Sequence, residues 1–252
     1  EPLKKHTTLR IGGPVKFFVE PNGLDDLKLL ISCAKRYKIS ISVIGAGSNI
    51  LSSDKGINRI VVKLSAPFFK KVIFKGNNAD AGSGLSLSGF ISRAKNKGLS
   101  GAEFLSGIPG TLGGALAMNA GAWGRDIAGL VSKIKVIDYS GRVKELARKD
   151  ARFSYRKSGL EKYIILGASL KFIKKETSEI KKDIDKFRRQ RAASQDNYFP
   201  SAGCVFKNPA GNIAGRLIDL CGLKGRKLGG ACISSKHANF ILNRDNARAS
   251  DI

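Results

Sequence analysis

Apolar and polar positions along the chain alternate between two periods, and each switch marks an element. Val15 to Glu20 (VKFFVE) reads as a short strand closed by Pro21-Asn22-Gly23. From Asp25 the period turns helical, with Leu27, Leu30, Ile31 and Ala34 three and four apart. Asp25 and Asp26 at its start, and Lys35, Arg36 and Lys38 at its end, suit the helix dipole. Cys33, inside this helix, reads as a packing residue. Ile39 to Ile44 (ISISVI) is a β-branched strand that runs straight into Gly45-Ala46-Gly47-Ser48-Asn49. Leu51 to Gly56 is turn-forming, and Ile60 to Leu64 (IVVKL) is again a strand. The glycine turn therefore lies between two strands and opens no helix, unlike a dinucleotide-binding crossover.

Beyond Pro67 short strands are expected at Val72 to Phe74 and Ala79 to Ala81. Gly82-Ser83-Gly84 then leads to a helix with Leu87, Phe90, Ile91 and Ala94 on one face and Gly98 past its end. Lys133 to Asp138 alternates as a half-buried strand, Ser140-Gly141 turns it into Val143 to Leu146, and Tyr163 to Ile173 holds another strand. Lys174 to Arg191 is a charged helix with a narrow stripe of Ile180, Ile184 and Phe187. A helix over Ala214 to Cys221, a turn at Gly229-Gly230 and a strand around Asn239 to Leu242 complete the pattern.

Gly107 to Gly124, GIPGTLGGALAMNAGAWG, fits neither period and carries too little side chain to build a core. Glycine is used where backbone must turn with positive φ or approach something closely. A row of N–H groups beside a helix start suits the phosphates and polar ring edge of a large cofactor.

The length of 252 residues allows two compact units or one large unit with a split core. No apolar run reaches the length of a membrane span. The chain opens on Glu1 and stops after Ala249-Ser250-Asp251-Ile252, so both ends read as cut. Four cysteines show no C-x-x-C pair and no metal spacing with the two histidines, which points to free thiols in a reducing compartment and to no metal. The net charge of +25 is spread along the chain without interleaved aromatics, which favours an enzyme of anionic ligands over a nucleic-acid binder. A basic nucleic-acid-binding protein stays as the alternative of a different class.

Five segments stand in one order: HTTLRIGGP, VIGAGSN, GIPGTLGGALAMNAGAWG, FSYRKS, and the pair SAGCVFKNP with KHANFILN. Together, from His6 to Asn243, they resemble the UDP-N-acetylenolpyruvoylglucosamine reductase family in its short form. The resemblance implies an α+β fold. A vanillyl-alcohol-oxidase-like FAD-binding domain in two parts, residues 1–64 and 65–175, would precede a C-terminal α/β substrate-binding domain, residues 176–252. It implies NADPH as hydride donor, tightly bound FAD, and UDP-N-acetylglucosamine enolpyruvate as the substrate reduced to UDP-N-acetylmuramate for peptidoglycan. The setting it implies is the bacterial cytoplasm, with no obligatory protein partner, no membrane and no nucleic acid. Another FAD-dependent oxidoreductase of the same fold is the alternative among enzymes; SAGCVFKNP and FSYRKS weigh against it as substrate-side segments.

Carried over residue by residue, the resemblance puts Gly45, Ala46, Gly47, Ser48 and Asn49, with Gly107, Ile108, Pro109, Gly110 and Thr111, on the FAD pyrophosphate. Gly113, Gly114 and Asn119 would lie near the ribityl chain or the isoalloxazine ring. Arg156 matches the arginine that stabilises the enolate, and its planar fork fits a carboxylate better than a lysine would. Cys204 stands where most members carry a proton-donating serine; a thiol is protonated at neutral pH and is a much stronger acid than a serine hydroxyl. Lys207 and Asn208 are expected to bind substrate. Arg188 and Arg191, one helical turn apart, would reach the UDP diphosphate and the NADPH phosphates. Cys221 and Cys232 lack such flanks and read as small buried hydrophobes. His237 reads as a structural histidine or a polar neighbour of the site. The family's second enolate-stabilising acid, a glutamate near the C-terminus, is expected beyond Ile252.

Overall fold

The computed structural model describes residues 1–252. The chain forms two compact units, one of Phe18–Gly45 and Arg59–Arg188, the other of Glu1–Phe17, Ala46–Asn58 and Arg189–Ile252.

The larger unit is organised on a five-stranded antiparallel sheet. Its order is Val143–Ala147, Val131–Asp138, Tyr163–Lys171, Asn78–Gly82 and Val72–Lys75. The central strand, YIILGASLK, is buried almost throughout, which is why it lacks a polar alternation. Successive residues of a strand face opposite sides of the sheet, and the two sides carry separate cores. Val136 and Ile165 pack with Phe90, Phe104, Leu112 and Leu116, whereas Ile137 and Ile164 pack with Leu27, Ile31, Ile60 and Val62.

Helix Leu87–Asn96 supplies Leu87, Phe90, Ile91 and Ala94 to the first core, the stripe its sequence predicts. Ser86 caps its start by accepting the Gly89 N–H at 3.2 Å, and Gly98 follows its end with φ 64°. Helix Leu24–Arg36 buries Leu27, Ile31 and Ala34 in the second core. Cys33 lies on its other side and is exposed, against the expectation of a packing residue: the apolar stripe is complete without it. Residues 41–44 and 60–63 pair in parallel, and the dozen-odd residues joining these strands contain no helix, as expected.

The charged helix runs Thr177–Ser194, later at both ends than its sequence pattern suggests. Lys174 is occupied by a short antiparallel pairing of Ile173–Lys174 with Leu99–Ser100, which delays the start. Ile180 and Ile184 are its buried stripe.

The smaller unit carries a four-stranded antiparallel sheet in the order Ser201–Cys204, Phe240–Asn243, Ala231–Ile233 and Lys227–Leu228. Leu9, Ile11, Ala231 and Ala247 form its small core. Helix Ala214–Leu220 ends where its apolar pattern does.

Candidate active site

The glycine-rich segment of the larger unit resolves into a short helix, Leu112–Ala117, with Thr111 as its N-cap. Thr111 Oγ1 accepts the Gly114 N–H at 3.2 Å. The N–H groups of Leu112 and Gly113 donate to the carbonyls of Leu85 and Ser83, both at 2.8 Å. The row of N–H groups expected to face a ligand is therefore committed within the protein over Leu112–Gly114, and two glycines serve to bring protein segments together. A Cβ on Gly45 would stand 2.6 Å from Thr111 Oγ1, and one on Gly113 would stand 2.8 Å from Ser83 Cβ.

What faces outward is a cavity of about 520 Å³, lined by Gly45, Ser83, Thr111, Gly113, Gly114 and Ala117, with Lys63 and Lys70 in its wall. Gly114 and Ala117, one turn apart and both exposed, give it a floor almost without side chains. A Cβ on Gly114 would meet only Thr111 Oγ1, at 3.6 Å, and would otherwise project into open space. Ser83 Oγ is buried and has no hydrogen-bond partner in the protein. A bare floor, an unsatisfied hydroxyl and two cationic side chains fit a flat ring system carrying phosphates.

The same helix ends in a Schellman motif. The Ala120 N–H bonds the Ala115 carbonyl at 2.8 Å and the Asn119 N–H bonds the Leu116 carbonyl at 3.3 Å. Asn119 takes the left-handed position with φ 43°, which glycine more often fills. A two-residue hairpin follows, Gly121–Ala122 pairing with Arg125–Asp126 around Trp123 and Gly124 at φ 52° and 73°. Nearby lies the tight turn of Ser154 to Lys157, closed by Ser154 N–H to Lys157 carbonyl at 3.0 Å and Lys157 N–H to Ser154 carbonyl at 3.2 Å. Arg156 sits in its third position with φ 53°. That conformation is uncommon for a residue with a side chain and is held only by its surroundings. The Arg156 guanidinium lies 5.5 Å from the Tyr155 ring centroid and enters no ion pair, which leaves its fork open to a carboxylate. Ser158, fully buried, donates to the Ala117 carbonyl at 2.8 Å and ties the turn to the helix from its other side.

In the smaller unit, Ala46–Asn49 opens the loop after Gly45. Gly47, at φ 66°, is pressed so closely on His6 and Thr7 that a Cβ would stand 2.0 Å from the His6 carbonyl. Cys204 ends strand Ser201–Cys204 opposite Phe240 and is exposed. Lys207 and Asn208 follow on the exposed loop, where Asn208 Oδ1 accepts the Ala214 N–H at 3.1 Å and so holds the start of helix Ala214–Leu220. Cys232 is buried as expected, whereas Cys221 is exposed because it caps the end of that helix on the solvent side. On helix Thr177–Ser194, Arg188 is exposed, and Arg191 Nη1 donates to Gln195 Oε1 at 3.3 Å. Burial lowers the His237 pKa, so the ring is neutral; its Nδ1 accepts the Asn239 N–H at 3.3 Å.

Three residues gain roles that their sequence contexts only hint at. Asn239, buried in KHANF, clamps the chain after Cys204: its Oδ1 accepts the Phe206 N–H at 2.9 Å and its Nδ2 donates to the Phe206 carbonyl at 2.8 Å. Ser83 lies between two glycines, and Ser158 closes FSYRKS. Each is a polar residue beside a conspicuous motif, but only its partners reveal what it does.

Known proteins share this fold. A family model described as an FAD binding domain matches residues 15–147. A VAO-type flavoprotein from Myceliophthora thermophila aligns over 65% of this chain and 33% of its own, with a TM-score of 0.53 at 16% identity, a likeness of fold. The family model and the fold thus define an FAD-binding protein of the VAO-like α+β class. A second model, described as the UDP-N-acetylenolpyruvoylglucosamine reductase C-terminal domain, matches residues 194–252. Reductases of that name from Caldanaerobacter subterraneus subsp. tengcongensis and Clostridioides difficile are 42% and 41% identical, each alignment covering 100% of this chain and 83% of the relative. The crystal structure of the Thermus caldophilus enzyme superposes with a TM-score of 0.88 at 37% identity, covering 100% of this chain and 90% of that one. The chain belongs to the UDP-N-acetylenolpyruvoylglucosamine reductase family.

Proposed function

We propose that Arg156 and Cys204 carry the two charge movements of this reductase, Arg156 at the substrate's carboxylate and Cys204 at the carbon that takes the proton. The reaction is the NADPH-dependent reduction of UDP-N-acetylglucosamine enolpyruvate to UDP-N-acetylmuramate, a step of peptidoglycan synthesis. FAD, when bound, supplies the hydride that the vinyl carbon receives. The chain's own residues must then do two things: stabilise the negative charge that spreads onto the carboxylate, and deliver a proton to the adjacent carbon. The open guanidinium of Arg156 on its strained turn suits the first task, and this observation carries the reading. Cys204, an exposed thiol at a strand end, suits the second: its S–H gives up the proton and solvent restores it.

The cavity over Gly114 and Ala117 is the flavin site in this reading, with Gly45 to Asn49 and Gly107 to Thr111 near the pyrophosphate. Lys207, Asn208, Arg188 and Arg191 serve the UDP-sugar and NADPH phosphates. The family models matching 15–147 and 194–252 support a flavin part followed by a sugar part, whereas the compact units differ from the expected division at 175/176 by grouping Glu1–Phe17 and Ala46–Asn58 with Arg189–Ile252. No helix is long and apolar enough to cross a membrane. We place the reaction in the bacterial cytoplasm, where NADPH and nucleotide sugars are made, without an obligatory protein partner.

Anaerobic half-reactions on the FAD-loaded protein separate the roles. NADPH bleaching should persist in Arg156→Ala and Cys204→Ala. Recolouring by the enolpyruvyl sugar should slow by about 10²–10³-fold in the first and about 10²–10⁴-fold in the second. Wild-type recolouring in either variant removes that residue from the mechanism.

A further inference from the structure

We propose that Asn119 is the positioning residue for Arg156, holding the arginine's turn through the carbonyl of Ser154; this rests on the role given to Arg156 above. Asn119 is almost fully buried, and its side chain is spent on the protein. Its Nδ2 donates to Asp126 Oδ2 at 3.1 Å and to the Ser154 carbonyl at 3.0 Å, and its Oδ1 accepts the Ala128 N–H at 3.2 Å. One end of the amide meets an N–H and the other meets two oxygens, so the orientation of the group is set by its partners. Both donors are consumed, which leaves none for a cofactor and turns the residue from a ligand contact into an anchor.

The anchor is itself rigid. Asp126 Oδ1 accepts the Gly129 N–H at 3.3 Å, and Asp126 pairs with Gly121 across the hairpin. At the other end, the Ser154 carbonyl receives two N–H groups, one from Lys157 that closes the turn and one from Asn119 that fixes where the turn stands. The Ser158 hydroxyl on the Ala117 carbonyl is a second tether. Arg156 lies between the two tethers at positive φ, a conformation that relaxes when its surroundings loosen. Loss of the Asn119 bonds therefore lets the guanidinium leave the orientation in which its planar fork meets a carboxylate. Because Asn119 also terminates the helix under the cavity, the floor and the arginine are set by one residue.

Asn119→Gly is the informative variant: glycine keeps the left-handed helix end and removes all three side-chain bonds. Asn119→Asp, nearly isosteric, keeps the acceptor and removes both donors. In FAD-loaded protein each should lower the ratio of recolouring to bleaching rates about tenfold. The same Asn119→Gly change in an Arg156→Ala background should lower it less than about twofold, because the group being positioned is gone. Independently of turnover, hydrogen–deuterium exchange at the Ser154 and Lys157 amides should quicken about tenfold in both Asn119 variants. Equal slowing in the two backgrounds, or unchanged exchange of those amides, overturns the positioning role. If Arg156→Ala itself recolours at the wild-type rate, the assignment of Arg156 fails instead, and the amide exchange still reports on the tether.

Discussion

Replacing Gly45 by alanine should destabilise this protein, and the same replacement should stabilise it once Thr111 is alanine. Gly45 does not occupy the left-handed region, so alanine fits its backbone. The difficulty is a contact: the new Cβ would stand 2.6 Å from Thr111 Oγ1, against 3.6 Å from both Thr111 Cβ and Cγ2. Only the hydroxyl is too close. Turning it away breaks the cap on the Gly114 N–H, now 3.2 Å long, and a lost N-cap costs about 0.5–2 kcal/mol. Against this, alanine removes unfolded-chain freedom and contributes about 0.4–1 kcal/mol of stability. The net loss in the wild-type background is about 0.5 kcal/mol. With Thr111→Ala the cap is already absent and the remaining contact is ordinary, so only the favourable term survives.

The assay is thermal unfolding of the four FAD-loaded proteins at one fixed FAD concentration, since bound cofactor raises the transition temperature by mass action. For a chain of this size about 1 kcal/mol moves the transition by roughly 2–4 °C. Gly45→Ala should therefore lower it by about 1–2 °C alone and raise it by about 1–3 °C beside Thr111→Ala. Equal shifts of one sign in both backgrounds would refute the idea that Gly45 is glycine in order to spare the Thr111 cap.

Two further predictions concern the smaller unit. Asn239→Ala removes both bonds that clamp Phe206 and should cost about 1–3 kcal/mol. Thermal unfolding measures that loss, and faster amide exchange at Val205 and Phe206 should accompany it, whereas an unchanged transition would show the clamp to be idle. His237 gives a pH signature. Its folded pKa is lowered by burial, so the unfolded chain takes up a proton that the folded chain refuses. Stability should fall as pH drops below the unfolded value near 6.5, and keep falling until the folded ring is protonated. His237→Asn, which retains an acceptor for the Asn239 N–H, should flatten the denaturation midpoint between pH 7 and pH 5; an unaltered slope would exclude His237 as its source.

Elements whose apolar period is strong are legible in the chain, and so is the order of its motifs. Helix Leu87–Asn96 shows its buried stripe, its Ser86 cap and its terminal Gly98 directly, because all three are local signals. The α+β class and the family follow from segments whose order survives without any knowledge of contacts. The exposure of Cys33 and Cys221 is not legible that way. Cys33 sits beside apolar neighbours in sequence, yet the helical turn directs it away from the buried side, and Cys221 falls just past a helix end that faces solvent. The start of helix Thr177–Ser194 is equally hidden, since Lys174 is claimed by a strand more than seventy residues earlier in the chain, far beyond the window of about 15 residues over which local propensity is informative.

The glycine-rich segment is where composition misleads most usefully. Its poverty of side chain suggests N–H groups offered to a ligand, but the N–H groups of Leu112, Gly113 and Gly114 go to Leu85, Ser83 and Thr111. Glycine buys close backbone approach there, with Gly45 against Thr111 and Gly113 against Ser83. Only Gly114, with Ala117, keeps a bare face toward the cavity. The segment is thus a strut before it is a cradle: one end is sewn to Ser83 and Leu85, and the other, at Asn119, is sewn to the turn that carries Arg156. A strut of this kind needs small residues along its length and one polar residue able to adopt φ 43° at its end. Asparagine meets that second demand and also brings the three bonds that glycine could not make.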